Sequence, residues 1–292
     1  MTDSAELLRK VRKIEIRTRG LVNQIFSGEY HSVFKGRGMA FSEVREYQPG
    51  DDVRLIDWNV SARFNHPYVK LFEEERELTV MLVVDVSGSG EFGTVRQMKK
   101  DIAVELCAVL AFSAIQNNDK VGLILFSDTI EKFVPPKKGR KHILRIIREL
   151  LDFRPAGRGT SIAEGVLYLI RAIKKRSIAF LISDFLNDGY EAALKVASRK
   201  HDLVAIRLFD PRETELPAVG LMRVKDAESG ETAWVDTSHP LIRDSYLRWW
   251  KERNEQRTRL FRRSGVDQIH IRIDQSYIHP LVSFFRVREK RW

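Results

Sequence analysis

The strongest constraint on the fold is an alternation of short apolar segments with helical segments, which begins at residue 78. The apolar segments have the length and the Val and Ile content of buried strands, and they lie at 78–84, 121–126, 178–183 and 202–208. Helical patterns occur between and around them, at about 95–117, 139–151, 161–174 and 190–199. Strands separated in this way by helices form mostly parallel sheets. The sequence therefore predicts an α/β fold with a doubly wound, Rossmann-like sheet.

Further elements are predicted on either side of this alternation. A short strand at 129–134 is expected to end at Pro135 and Pro136, because proline cannot donate a ladder hydrogen bond. The later segments are a hairpin at 219–235, a charged helix at about 240–263, a strand at 269–273 and a closing helix at about 277–286. A helix is predicted at 4–26, followed by strands and turns. We therefore divide the chain into an N-terminal helix and strand extension at 1–77 and an α/β domain at 78–292.

Composition narrows the class of protein. The sequence contains no apolar run near the ~20 residues of a membrane span, and its N-terminus lacks the apolar segment of a signal peptide. Cys107 is the single cysteine, so an intrachain disulfide is impossible. These features predict a cytoplasmic protein. The net charge is +10, and residues 239–292 hold 13 Lys and Arg against six Asp and Glu, which predicts a local basic surface.

Five oxygen-bearing residues are predicted to lie at one edge of the sheet. They follow the strands at 78–84 and 178–183 or precede the helix at 161–174, and they are Asp85, Ser87, Ser89, Thr160 and Asp184. In open parallel sheets, ligands bind outside the carboxyl ends of the strands. Hydroxyl and carboxylate oxygens suit a hard cation such as Mg²⁺, with Mn²⁺ or Ca²⁺ as alternatives. No histidine is among the five, which argues against a zinc hydrolase.

Other interpretations of these residues remain open at the level of sequence. Each Ser or Asp after a strand also suits a helix cap or a turn. A metal-assisted phosphohydrolase would use Asp85 and Asp184 with an acid from 43–57. It would also need a general base, for which Glu91 and Asp188 are candidates by sequence proximity. Arginines at 248–263 form either a solvated helix face or a surface for nucleic acid or another acidic partner.

The five residues resemble the metal-ion-dependent adhesion site of von Willebrand factor A-type domains. That site consists of D-x-S-x-S, a later Thr and a later Asp after a buried strand, and all five positions are matched here. The resemblance implies that Ser87, Ser89 and Thr160 contact the metal directly, whereas Asp85 and Asp184 act largely through ordered water. It also implies docking rather than turnover, because an acidic residue of a partner completes the metal shell. No enzymatic activity is expected.

A second resemblance covers residues 41–77, before the first strand of the alternation. This segment is similar to the signature of the bacterial family known as domain of unknown function 58, with matches at Glu43, Arg45, Tyr47, Pro49, Gly50, Asp51, Asp52, Arg54, Ile56, Asp57, Trp58, Ser61, Ala62 and Arg63. The chain resembles the branch without upstream membrane helices. It departs from the family pattern after Ser89, where Gly90 and Glu91 precede Phe92-Gly93. The resemblance implies an adaptor or co-chaperone for a MoxR-type AAA+ ATPase, or for a client protein that offers an Asp or Glu.

Overall fold

A computed structural model describes residues 9–16, 18, 39–74, 77–93 and 97–290. Contacts divide the chain into two units, Phe34–Leu78 and Met1–Val33 together with Thr79–Trp292. The predicted helix at 4–26 is helical at residues 9–16 and 18, and its other residues lie outside the described part of the chain. The proposed division into an extension at 1–77 and a domain at 78–292 stays a prediction.

The smaller unit is an antiparallel pair of strands joined by two short helical turns. Strands β1 (Met39–Glu46) and β2 (Tyr68–Glu74) enclose a 3-10 turn (Val53–Leu55) and helix α1 (Trp58–Phe64).

Several of the family-like positions in this unit have local structural roles. Arg45 forms a bidentate ion pair with Asp51, with N–O distances of 2.7 and 2.8 Å. Asp52 caps the 3-10 turn by accepting from the Arg54 N–H, and Asp57 caps α1. Trp58 lies at the start of α1 with 71% of its surface exposed. The acids of this segment therefore fix turns, and its tryptophan faces outward.

The larger unit contains a six-stranded sheet. Its strands are β3 (Thr79–Asp85), β4 (Lys120–Phe126), β5 (Ile130–Lys137), β6 (Ile178–Ser183), β7 (Asp202–Phe209) and β10 (Asp267–Arg272). They lie in the order β10-β7-β6-β3-β4-β5, in which only β5 is antiparallel. Strand β3 lies inside the sheet, and five consecutive residues of it are buried. Both faces of the sheet must therefore be covered. The prediction of an α/β fold with a mostly parallel sheet is confirmed, and the arrangement is consistent with double winding.

Besides the helical residues 9–16 and 18, the described part of this unit contains seven helices after β3 and a hairpin. The helices are α2 (Lys99–Gln116), α3 (Arg140–Asp152), α4 (Ile162–Ala172), α5 (Glu191–Lys200), α6 (Pro211–Thr214), α7 (Pro240–Ser264) and α8 (Ile278–Glu289). Strands β8 (Leu221–Lys225) and β9 (Thr232–Asp236) form a separate two-stranded sheet. Among the described residues, no helix has both the length and the apolar composition that crossing a membrane requires.

One strand boundary predicted from the sequence is wrong. Strand β5 does not stop before Pro135 and Pro136 but continues through both to Lys137, which pairs with Val121 of β4. Prolines are tolerated here because β5 is the edge strand, and the register shift between Val121 and Leu123 accommodates the irregularity.

The basic helix α7 is not a uniformly solvated arginine face. Arg257 is only 4% exposed and donates to Asn254 Oδ1 within the helix at 2.7 Å and to the Phe185 carbonyl after β6 at 3.5 Å. Arg253 donates to Asp188 and to the Leu186 carbonyl. Two of the arginines predicted for a solvated or nucleic-acid-binding face therefore fix α7 against the loop that follows β6.

Candidate functional site

The site begins at the carboxyl end of β3, where Asp85 is enclosed by other chain segments. Its Oδ1 accepts from the Ser87 N–H at 3.0 Å, and its Oδ2 accepts from the Ser183 hydroxyl at 2.7 Å. Burial, followed by the negative charge of nearby Asp184, raises the pKa of Asp85 to about 6. Asp85 and Asp184 therefore repel each other at this end of the sheet, which favours positive charge nearby.

The loop after Asp85 turns its two serine hydroxyls toward each other. Residues Gly88–Glu91 form a 3-10 turn, and the Ser87 and Ser89 Oγ atoms are 3.1 Å apart. The Gly88 N–H donates to the Arg158 carbonyl at 3.0 Å. This backbone bond joins the D-x-S-x-S loop to the loop that carries Thr160.

The second loop is shaped by a carboxylate outside the predicted set. Glu131 of β5 accepts from the Ala156 and Gly157 N–H groups, with its Oε1 at 3.1 and 2.9 Å. Gly157 permits a close approach, because a Cβ there would lie 1.9 Å from Asp128 Oδ1. Three residues later, Thr160 is nearly buried, and its hydroxyl donates to Glu228 Oε1 at 2.5 Å.

Asp184 follows β6 and is bound by an internal lysine. Its Oδ2 accepts from Lys99 Nζ at 2.9 Å, and its Oδ1 accepts from the Leu186 N–H at 3.2 Å. Lys99 is 3% exposed and also pairs with Glu213 of α6. Burial disfavours the charge of Lys99, but the attraction of Asp184 and Glu213 outweighs it and raises the pKa of Lys99 above its usual value.

The structure places the predicted residues as follows. Asp85, Ser87 and Ser89 share one loop, Asp184 lies beside Asp85, and Thr160 is joined to them through the Gly88–Arg158 backbone bond.

Four further side chains enter the site without having been predicted, namely Lys99, Ser183, Glu213 and Glu228. Ser183 could have been predicted from the sequence, because it is the last residue of a strand that ends on the same side of the sheet as β3. The other three come from a helix start, a short helix and a hairpin turn, whose places in the fold depend on tertiary structure.

The donor set fits a hard divalent cation. In an octahedral Mg²⁺ shell, neighbouring ligand oxygens lie about 3.0 Å apart when each is about 2.1 Å from the ion. The 3.1 Å separation of the Ser87 and Ser89 hydroxyls is close to that spacing. Within the described residues, no group of three or more His, Cys, Asp or Glu side chains is arranged to hold a metal.

A cluster of hydroxyls and carboxylates at the carboxyl edge of a mostly parallel sheet defines an α/β protein with a polar binding rim. The chain belongs to the family described as Protein of unknown function DUF58, whose profile matches residues 43–257. This finding confirms the family expected from the segment at 41–77.

Relatives of the chain extend over most of its length. The uncharacterized proteins Rv1480 of Mycobacterium tuberculosis and Mb1516 of Mycobacterium bovis are each 32% identical over 291 residues, which cover 99% of this chain and 92% of theirs. Among solved structures, the conserved hypothetical protein BatB from Bacteroides thetaiotaomicron is 17% identical, with a TM-score of 0.48 over 74% of this chain and 100% of that one.

Proposed function

We propose that this protein is a metal-dependent protein-interaction module with a von Willebrand factor A-like fold. In this proposal Ser87, Ser89 and Thr160 hold a divalent cation, with Mg²⁺ as the first choice, while Asp85 and Asp184 act through ordered water. The observation that carries the proposal is the pair of serine hydroxyls at 3.1 Å, which follow the half-buried Asp85 at the end of β3. The bond from Lys99 to Asp184 supports an indirect role for that carboxylate.

The chemistry of the donor set favours docking. Neutral hydroxyls leave much of the charge of Mg²⁺ uncompensated, so a bound ion would attract a carboxylate from a partner. A phosphohydrolase would need a general base at the same place. Glu91 is 3.7 Å from Lys100 Nζ with 77% of its side chain exposed, and Asp188 pairs with Arg253. Both candidate bases are engaged in surface pairs, which supports the docking function over hydrolysis.

The partner is proposed from the family resemblance of the segment at 41–63. A MoxR-type AAA+ ATPase, or a client protein that offers an Asp or Glu, would bind at the rim, and the protein would act as an adaptor or co-chaperone in the cytoplasm. Asp85 is held by hydrogen bonds next to hydroxyls at the carboxyl ends of the strands. This arrangement is consistent with a surface that binds an acidic side chain of a partner.

The proposal is tested by measuring binding of the purified protein to a purified MoxR-type ATPase of the same bacterium. We expect binding in Mg²⁺ and its loss, by tenfold or more, in EDTA and in Asp85→Asn; a tenfold loss corresponds to about 1.4 kcal/mol. Asp85→Asn preserves the side-chain shape and removes a buried charge, so the variant is expected to fold.

Ser198→Ala is the matched control, because Ser198 is half-buried on α5 and its hydroxyl donates only to the Lys195 carbonyl among the hydrogen bonds described. It should bind like the unsubstituted protein. Binding that is equally strong in EDTA and in Asp85→Asn would show that the metal-docking mechanism is wrong.

A further inference from the structure

The tip of the β8–β9 hairpin brings a carboxylate of this chain to the proposed metal site. Glu228 Oε1 accepts from the Thr160 hydroxyl at 2.5 Å, across 68 residues of sequence. Thr160 is one of the three hydroxyl ligands proposed above. A carboxylate oxygen therefore lies within hydrogen-bond distance of a proposed ligand atom.

A second contact holds the hairpin tip against the serine loop. Gly88 lies between Ser87 and Ser89, and a Cβ added to it would be 2.4 Å from the Ala227 carbonyl oxygen. Only glycine permits this close approach without displacement of the hairpin. The residue next to Ala227 is Glu228 itself, so the backbone contact and the carboxylate contact reinforce each other.

The turn that presents Glu228 is fixed by its own hydrogen bonds. Asp226 Oδ1 accepts from the Glu228 and Ser229 N–H groups at 3.0 and 2.6 Å. Gly230 adopts a left-handed conformation with φ of 75°, and its N–H donates to the Asp226 carbonyl. Because the turn is ordered in this way, the position of Glu228 is built into the backbone and costs little further conformational entropy.

The base of the hairpin is anchored separately from its tip. The hydroxyl of the fully buried Thr237 donates to the Gly220 carbonyl at 2.7 Å and accepts from the Val219 N–H at 3.1 Å. Strands β8 and β9 pair only with each other among the strands described. The tip can therefore leave the site without breaking a hydrogen bond of the central sheet.

From these contacts we infer that Glu228 is the chain's own carboxylate ligand for the docking site. This inference rests on the metal-dependent function proposed above. With the hairpin in place, Glu228 occupies the position that the acid of a partner would take, and the partner binds by displacing it. The hairpin thus lowers the affinity of the docking site for free carboxylates. Only partners that make further contacts with the protein bind strongly enough to displace Glu228.

The test counts water molecules on a bound metal ion. Mn²⁺ serves as the probe because it shares the oxygen preference of Mg²⁺ and accelerates the relaxation of water protons in proportion to the number of its coordinated waters. We expect Glu228→Gln to bind Mn²⁺ more weakly, on the order of tenfold, because a ligand charge is lost. Its bound Mn²⁺ should carry one more exchangeable water than the unsubstituted protein.

In a second experiment, acetate is added to supply the carboxylate that Glu228→Gln lacks. An excess of acetate should lower the relaxation enhancement of Glu228→Gln toward the unsubstituted value and leave the unsubstituted protein unchanged. Glu228→Asp keeps the charge but shortens the side chain by one methylene, and it should resemble Glu228→Gln. Glu231→Gln is the matched control, because Glu231 is exposed on the same hairpin and should have no effect.

The outcomes separate the two proposals. If Mn²⁺ binds both the unsubstituted protein and Glu228→Gln with equal affinity, water number and acetate response, Glu228 is not a ligand and the docking site stands. If Mn²⁺ binds none of the variants or the unsubstituted protein, both proposals are wrong. Circular dichroism of each variant verifies its fold, which is expected to persist because Glu228 lies half-buried in a turn.

Discussion

A single lysine neutralises the acidic groups on one side of the candidate site. Lys99, the first residue of α2, binds both Asp184 and Glu213 while being almost completely buried. A buried ion of either sign is costly unless it is paired, and removal of one partner exposes the others to the full desolvation penalty. The stability of the rim in the absence of a metal therefore depends strongly on this residue.

Lys99→Met is expected to reduce the free energy of unfolding by about 3–5 kcal/mol at neutral pH, because two carboxylates lose their buried cation. Glu213→Gln added to this variant should recover part of the loss. Urea unfolding monitored by circular dichroism gives both values. Lys100→Met is the control, since Lys100 is exposed and should change stability by less than about 0.5 kcal/mol. A similar effect of the two substitutions would contradict the role of Lys99.

At the scale of elements, helix α4 is placed by a glycine. Gly165 lies against the fully buried ring of Phe126 in β4, and a Cβ there would be 2.8 Å from the ring carbons. The same helix begins next to Thr160, with Ser161 as its N-cap. Close packing of α4 on the sheet is therefore part of what positions the Thr160 hydroxyl.

Gly165→Ala tests whether this packing outweighs helix propensity. Alanine favours a helix by about 1 kcal/mol over glycine, but overpacking a buried contact costs about 1–3 kcal/mol. We expect a net loss of stability in thermal unfolding. Ser198→Ala, at a half-buried position of α5, should be neutral or slightly stabilising. A gain in stability for Gly165→Ala would show that Phe126 moves aside at little cost.

The elements were largely predictable, whereas the tertiary contacts of the site were not. Strand β6 was predicted without error, because an unbroken apolar run can only be buried. The predicted strand at 129–134 was too short, because β5 continues through its two prolines. Prolines are tolerated there because β5 is the outermost strand of the sheet, and the local sequence does not reveal that position. Lys99 and Glu228 carried no local signal, because a lysine at a helix start and an acid in a turn are normally solvated.

At the scale of the whole molecule, the amino ends and the carboxyl ends of the sheet strands differ in the residues they carry. The amino ends carry contacts that stabilise the fold and lie away from the candidate site. Arg288 of α8 pairs with Asp202 and Asp267, the first residues of β7 and β10. His201, which is buried, shares a hydrogen bond of 2.9 Å with the Ser177 hydroxyl ahead of β6. The carboxyl edge carries the hydroxyls and carboxylates of the candidate site.

His201 makes stability depend on pH. Burial and the charges of Lys200 and Arg176 lower the pKa of His201 to about 4, against 6.5 in the unfolded chain. Between these values the unfolded state binds the additional proton, so the stabilising contribution is complete above pH 6.5 and is lost as the pH falls toward 4.

Between pH 7 and pH 4.5 the unsubstituted protein should lose about 2 kcal/mol more stability than His201→Gln. Chemical unfolding of both proteins at the two pH values measures the difference, and other titrating groups cancel in the comparison. Parallel pH profiles would contradict the assignment.

The two prolines of β5 also affect the tendency of the protein to aggregate through pairing of edge strands. An exposed edge strand offers its free N–H and C=O groups to strands of other molecules and so promotes aggregation. Pro135 and Pro136 have no N–H group, so this end of β5 has fewer donors to offer a foreign strand. A foreign strand cannot extend the sheet there in register. Edge-to-edge polymerisation is thereby suppressed on this side, at the cost of a bulge in one pair of strands.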